Sequence, residues 1–154
     1  MASDADQRRK KSYYGEKLAA ERLQKVYDLA PGAARRYLAA EIAHVQACIP
    51  PGGRVLELGC GYGRVLKSLA PSAGVLVGID TSYASLDLAR SYLAEFPDVM
   101  LALMDAVLLA FPPATFDLVC CIQNGISAFQ MDQRTLLAAA VGVTRPGGRV
   151  LFSS

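Results

Sequence analysis

The chain alternates between short apolar runs and longer stretches in which apolar residues recur at helical spacing. Short runs with little polar interruption are typical of parallel strands covered on both faces. Such runs occur at 54–58, 75–79, 99–104, 116–122 and 149–152. Helical spacing is found at 11–29, 33–48, 65–70, 81–94 and 131–144. Strands that alternate with helices predict an α/β fold, a three-layer sandwich with a mostly parallel sheet.

The stretch 55–64 is the centre of this pattern, because it predicts a strand, a tight turn and a helix in direct succession. Gly59, Gly61 and Gly63 lie in the turn, where glycine permits positive φ and lets a ligand approach the backbone. The first amides of a helix carry partial positive charge and lack internal partners. We therefore expect bare amides that bind a ligand here. The alternative is that the glycines only make a sharp connection.

The spacing of the glycines narrows the class of ligand. A dinucleotide fingerprint would need a glycine three residues after Gly61, where this chain has Arg64. A triphosphate-binding loop would need a Gly-Lys-Ser/Thr sequence, which does not follow. Glu57, two residues before the first glycine, would repel a pyrophosphate but attract an ammonium group. This combination favours a ligand with an amino acid end.

Polar residues also follow the other predicted strands. Asp80 and Asp105 come directly after the second and third strands, at the sheet edge where open α/β folds bind ligands. A carboxylate at Asp80 could accept hydrogen bonds from ribose hydroxyls, or it could only cap the next helix. Gln123 and Asn124 follow the fourth strand, where they are placed either to touch a ligand or to form a polar turn.

Length, charge and cysteine usage exclude several classes of protein. A chain of 154 residues with 53% hydrophobic residues suits one globular core, and no apolar run approaches the ~18 residues of a membrane span. A net charge of +2 is too small for a nucleic-acid surface. No secretory signal begins the chain, so we expect a cytoplasmic protein. Four cysteines without metal spacing and a single histidine, His44, predict no metal site.

Five motifs in the correct order resemble those of class I S-adenosylmethionine-dependent methyltransferases. They are Glu57-Leu58-Gly59-Cys60-Gly61-Tyr62-Gly63, Gly78-Ile79-Asp80, Met104-Asp105-Ala106, Phe116-Asp117-Leu118-Val119 and Arg145-Pro146-Gly147-Gly148-Arg149-Val150-Leu151. The resemblance covers about 33–154 and implies a Rossmann-like domain with strand order 3-2-1-4-5. It also implies that 1–32 form an N-terminal tail and a lid helix.

The chain departs from this family at its end, since the family usually has seven strands and this chain carries five. The final two strands are absent, which would leave the fifth strand as an exposed edge. We expect a partner chain, a second copy or a longer gene product to cover it.

The resemblance implies S-adenosylmethionine as cofactor, S-adenosylhomocysteine as product and a small molecule as methyl acceptor. It places the methionine end on Gly59 to Gly63, the ribose on Asp80, and the adenine near Asp105 and Ala106. An N-terminal aromatic residue, Tyr14, would close over the cofactor. The full set of expected cofactor contacts is Tyr14, Glu57, Gly59, Cys60, Gly61, Gly63, Arg64, Asp80, Thr81, Asp105, Ala106 and Gln123. No general base is assigned.

Two other functions remain open. An aminopropyltransferase-like enzyme uses the same fold, and a carboxylate base after the fourth strand, where this chain has Gln123, would favour it. A non-catalytic module that only binds S-adenosylmethionine is the second alternative.

Overall fold

The computed structural model describes residues 21–123 and 132–153, and five strands in these ranges form one parallel sheet. The strands are β1 (Arg54–Leu58), β2 (Val75–Asp80), β3 (Met100–Leu103), β4 (Phe116–Cys121) and β5 (Thr144–Phe152). Their spatial order is β3-β2-β1-β4-β5, and all four pairings are parallel. The predicted fold class and strand order are confirmed.

The described helices follow the predicted pattern closely. They are α1 (Glu21–Asp28), α2 (Gly32–Cys48), α3 (Arg64–Leu69), α4 (Tyr83–Tyr92) and α5 (Gln133–Val143). The side chain of Ser82 begins α4 by accepting a hydrogen bond from the amide of Ser85, and Asp132 begins α5 in the same way. Within the two described ranges, none of these helices has the length and apolarity needed to cross a bilayer.

Two separate apolar clusters lie on opposite faces of the sheet. Consecutive strand residues point to opposite faces, so Cys120 packs with the buried sides of α2, α3 and α4, while Cys121 packs with α5 and the segment before β4. The arrangement is the predicted three-layer sandwich. It also confirms that the adjacent cysteines point apart and share no site.

The start of β5 differs from the predicted turn at 145–148. Thr144 already pairs with Phe116, and regular pairing resumes where Arg149 meets Leu118, so the residues between them form a bulge within the strand. Gly148 allows close approach there, since a Cβ atom on it would lie 2.8 Å from the carbonyl oxygen of Asp117.

Asp117, near the amino end of β4, contacts the two neighbouring strands through Arg54 of β1 and Arg145 of β5. Its side chain is only 7% exposed. Oδ2 accepts a hydrogen bond from the Arg54 amide at 2.7 Å, and Oδ1 forms an ion pair with Nε of Arg145. This buried carboxylate is therefore neutralised within the fold, far from the carboxyl edge of the sheet.

Candidate functional site

The glycine loop and Asp80 meet at the carboxyl edge of the sheet. Leu58 pairs with Ile79, so the loops after β1 and β2 are neighbours. The Gly61 amide donates a hydrogen bond to Oδ2 of Asp80 at 2.8 Å. The glycine loop and Asp80, which sequence analysis assigned to the same ligand, thus lie together.

All three loop glycines adopt left-handed backbone conformations, with φ of +70° at Gly59, +54° at Gly61 and +89° at Gly63. These values explain why glycine is needed. A Cβ atom on Gly63, however, would lie 2.8 Å from Cδ1 of Leu93. Gly63 therefore makes room for the segment that follows α4 and not, as expected from the sequence, for a ligand.

The loop amides are not bare. The Cys60 amide donates to the carbonyl of Ile79 at 2.9 Å, the Gly63 amide donates to the carbonyl of Cys60 at 3.0 Å, and the Gly61 amide is bound to Asp80. In the first turn of α3, the Leu66 amide hydrogen-bonds Glu57. The expectation of free amides is therefore wrong for these residues. These four amides are already bonded within the protein.

Glu57 is a buried carboxyl group directly below the loop. It is 3% exposed, and its Oε2 has no hydrogen-bond partner among the described residues. Burial raises the pKa of Glu57 to about 8, which the positive charge of Arg64 partly opposes and the negative charge of Asp80 reinforces. At neutral pH Glu57 is therefore mainly protonated in the free protein.

Arg64 supplies a positive charge beside Glu57. Its Nε and Nη2 atoms are buried and have no hydrogen-bond partner in the described ranges. The guanidinium carbon lies 4.2 Å from the ring centroid of Tyr27 on α1, a cation–π contact. Two nitrogen atoms of the Arg64 guanidinium group thus have no hydrogen-bond acceptor among the described residues.

Aromatic contacts hold α1 against the loop. The ring centroids of Tyr27 and Tyr62 are 6.4 Å apart, and those of Tyr62 and Tyr92 are 5.2 Å apart. Burial raises the pKa of Tyr27 and that of Tyr62, the latter to about 12. Sequence analysis missed both residues at the site, although Tyr27 lies in the predicted first helix and Tyr62 within the glycine motif.

Asp80 bridges the loop and α4. Its Oδ1 accepts a hydrogen bond from the Ser82 amide at 2.8 Å, while Oδ2 binds the Gly61 amide. Desolvation raises the pKa of Asp80, and the amides of Ser82, Gly61 and Thr81 oppose that rise. Ser82, and not Asp80, is the helix cap. The Thr81 side chain is exposed at the same edge.

The remaining predicted residues separate into edge and core positions. Asp105 lies at the edge, and its Oδ1 accepts a hydrogen bond from the Val107 amide at 3.2 Å. The side chains of Cys60 and Ala106 belong to the two apolar clusters, and burial raises the pKa of the Cys60 thiol well above its usual value. Tyr14 and Asn124 lie outside the described residues.

Gln123, which follows β4, forms hydrogen bonds with Ser153 after β5 and with Leu38 on α2. It has a φ of +64°, its amide donates to Oγ of Ser153 at 2.8 Å, and its Nε2 donates to the carbonyl of Leu38 at 3.1 Å. Gln123 also lines a cavity of about 270 Å³ against α1 and α2. Among the described residues, no other predicted site residue lines this cavity, whereas Tyr27, the aromatic partner of Arg64, does.

The fold and the glycine loop define a Rossmann-like domain of the class I methyltransferase type. Residues 55–148 match the family described as "Methyltransferase domain". The chain belongs to this family of methyltransferase domains.

Known proteins with similar chains carry methyltransferase names. A ubiquinone biosynthesis O-methyltransferase of Paracidovorax citrulli is 32% identical over 106 residues, which are 67% of this chain and 44% of that protein. The chain thus spans less than half the length of the curated relatives it matches. An S-adenosylmethionine-dependent methyltransferase from Thiobacillus denitrificans, solved with S-adenosyl-L-homocysteine, is 25% identical with a TM-score of 0.59, covering 73% of this chain and 47% of that one.

One further solved structure shows the fold alone. Phosphoethanolamine N-methyltransferase 1 of Haemonchus contortus is 18% identical, with a TM-score of 0.73 over 97% of this chain and 33% of that chain.

Proposed function

We propose that the chain binds S-adenosylmethionine at the glycine loop and is the cofactor-binding part of a methyltransferase that acts on a small molecule. The observation that carries this proposal is that Glu57 and Arg64, side by side at the loop, each have buried polar atoms without a hydrogen-bond partner among the described residues. Family membership and the names of the relatives support it.

The two groups complement the amino acid end of the cofactor. Among the described residues, Oε2 of Glu57 lacks a hydrogen-bond donor, which an α-ammonium group would supply, and Nε and Nη2 of Arg64 lack an acceptor, which an α-carboxylate would supply. The positive charge of the ammonium group would also favour the ionised form of Glu57. A guanidinium matches a carboxylate with two parallel hydrogen bonds. Unpartnered polar groups are costly to bury, so a zwitterionic ligand would relieve a cost that the free protein carries.

Asp80, Thr81, Asp105 and Ala106 follow at the same edge of the sheet and would hold the ribose and the adenine. A carboxylate has about four acceptor positions, so Asp80 keeps capacity for a hydroxyl donor beside the backbone amides of Gly61, Thr81 and Ser82. Ala106 is buried, so its contribution would come from the backbone.

The bound cofactor would supply an already activated methyl group on its sulfonium. The chain's own residues then need to align that ligand and exclude water, and these are effects of position more than of acid–base chemistry. The segment up to residue 32 would act as the lid, since Tyr27 on α1 packs directly on Arg64 and Tyr62. The domain proper would then be 33–154.

Isothermal calorimetry with S-adenosylmethionine and S-adenosylhomocysteine tests the proposal. We expect binding in the micromolar range, lost in Gly61→Val, because valine is strained at a φ of +54°, and weakened in Asp80→Ala. Gly142→Val is the matched control, since a Cβ atom at that position on α5 meets nothing within 4 Å. Wild-type protein that gives no heat with either ligand would refute the proposal.

The alternative functions, aminopropyl transfer and binding without catalysis, differ from methyl transfer in the reaction that each predicts. Gln123 after β4 is not a carboxylate, so the chain lacks at this position the base that would favour aminopropyl transfer. A non-catalytic module would bind the cofactor without turnover. Transfer of a labelled methyl group to a small acceptor by the protein, together with added chain segments if the gene continues, distinguishes an enzyme from a binding module.

A partner for the β5 edge also stays a proposal, as does a cytoplasmic location. Among the described residues, β5 pairs only with β4, and its Leu151 and Phe152 side chains are partly buried. A further strand or second copy would satisfy the free edge. Amides of β5 that exchange rapidly with solvent in a monomeric protein would show that nothing covers it.

A further inference from the structure

The cavity between α1 and α2 has the lining expected for a small, largely apolar ligand. Its volume is about 270 Å³, near the lower end of small-molecule sites. Val26, Ala30, Ala34 and Leu38 supply aliphatic walls, and Tyr27 and Tyr37 supply aromatic ones. Such a lining suits a single ring with short substituents.

One charged group in this lining has an open hydrogen-bonding position. Oε2 of Glu41 is buried without a hydrogen-bond partner among the described residues. The other lining residues with polar groups are Tyr27, Tyr37 and Gln123, and Nε2 of Gln123 already donates to the carbonyl of Leu38. The cavity therefore offers a hydrogen-bond acceptor and negative charge at Glu41 within an apolar wall.

The cavity also lies next to the proposed cofactor site. Tyr27 lines the cavity and stacks on Arg64, while Gln123 follows β4, the neighbour of β1 in the sheet. A molecule in the cavity would thus sit beside the residues proposed to hold the amino acid end of the cofactor. The negative charge of Glu41 disfavours an anionic occupant.

We propose that this cavity binds the methyl acceptor, and that the acceptor is a small ring compound whose hydroxyl or amine donates a hydrogen bond to Glu41. The identification of the occupant as the methyl acceptor rests on the proposed function. The preference for a ligand that donates a hydrogen bond rests on the cavity alone. Glu41 is thus assigned as a specificity-determining residue for the acceptor.

Ligand-observed NMR on the full chain tests this with four probes that share one ring: 4-methylphenol, 4-methylbenzylamine, 4-methylanisole and 4-methylbenzoate. We expect the phenol and the amine to bind at least about fivefold more tightly than the methyl ether and the benzoate, as one hydrogen bond would give. In Glu41→Gln this preference should fall, most for the amine. Asp98→Asn, at an exposed position outside the cavity, should retain it.

A second variant tests the location. Ala34→Phe should fill the cavity and abolish probe binding, whereas Ala39→Phe, at an exposed position of the same helix, should not. Equal binding of all four probes, no binding of either donor to wild type, or binding that survives Ala34→Phe would overturn the inference. S-adenosylhomocysteine binding is measured in parallel, so failure of the cofactor site is recognised separately from failure of the acceptor site.

Discussion

Glu57 and Asp117 are both buried carboxyl groups on neighbouring central strands, but they lie toward opposite ends of the sheet and have different partners. Asp117, at the amino end, binds the Arg54 amide and Arg145. Glu57, at the carboxyl end, keeps one oxygen without a hydrogen-bond partner among the described residues and has a pKa raised to about 8. The amino end thus pairs its buried carboxylate within the fold, whereas the carboxyl end keeps a mainly protonated carboxyl group with an open hydrogen-bonding position.

The largest expected effect is a pH dependence of stability that comes from Glu57. Its pKa rises from an ordinary 4.5 to about 8 on folding, so between these values the folded protein holds a proton that the unfolded chain has lost. The free energy of unfolding should therefore fall as pH rises from 4.5 through 8, by about 5 kcal/mol at most, since one pKa unit corresponds to about 1.4 kcal/mol. Urea unfolding at pH 5, 7 and 9 measures it.

Glu57→Gln should flatten this dependence, because the amide does not titrate. Arg64 and Asp80, the charged groups that act on Glu57, remain in that variant. If the free energy of unfolding changes with pH in the same way in wild type and Glu57→Gln, Glu57 is not the source of the pH dependence.

Asp117→Ala should lower the free energy of unfolding by about 2–3 kcal/mol, because a charged, buried hydrogen bond to the Arg54 amide is lost. The affinity of the folded protein for S-adenosylhomocysteine should not change, since the residue is remote from the glycine loop. Denaturant unfolding and calorimetry give the two quantities. Weakened cofactor binding with unchanged stability would reverse the comparison.

Arg64→Ala should show the opposite behaviour. We expect affinity for S-adenosylhomocysteine to drop about tenfold to hundredfold, as for loss of a charge-assisted hydrogen bond, with a smaller change in stability. Arg90→Ala is the control, because Arg90 is an exposed residue of α4 that pairs only loosely with Asp87 at 3.7 Å. Equal affinities of Arg64→Ala and Arg90→Ala for S-adenosylhomocysteine would show that Arg64 does not bind the ligand.

The smallest effect is expected for Arg145→Ala. This side chain is 54% exposed, so solvent screens its ion pair with Asp117. A loss below about 1 kcal/mol in unfolding free energy is expected. A cost as large as that of Asp117→Ala would mean that the ion pair, and not the Arg54 amide, holds the amino end together.

Local patterns were sufficient to predict most of the fold. The β1 and β4 runs are encoded by adjacent residues, so the predicted and observed strand bounds agree within a few positions. The start of β5 was missed because its bulge depends on Gly148 fitting against Asp117, about 30 residues away in the chain.

Sequence analysis predicted the parts of the candidate site that depend on spacing, and missed those that depend on packing. Glu57, Asp80 and the positive φ of the glycines follow from position in a strand–loop–helix unit. The contact of Tyr27 with Arg64 joins α1 to the loop, and no periodicity signals it. Likewise, only the packing of Leu93 shows that Gly63 serves the core.

By itself, the sequence determined the fold class, the strand order through its motifs, and the clustering of acids at one edge, because parallel strands bring their carboxyl ends together. The tertiary structure decided which loop amides are already bonded, which atoms of Glu57 and Arg64 lack hydrogen-bond partners among the described residues, and where a cavity is lined by Glu41. These properties depend on contacts between residues distant in the chain, and desolvation by those contacts determines the charge and hydrogen-bonding capacity that each group retains.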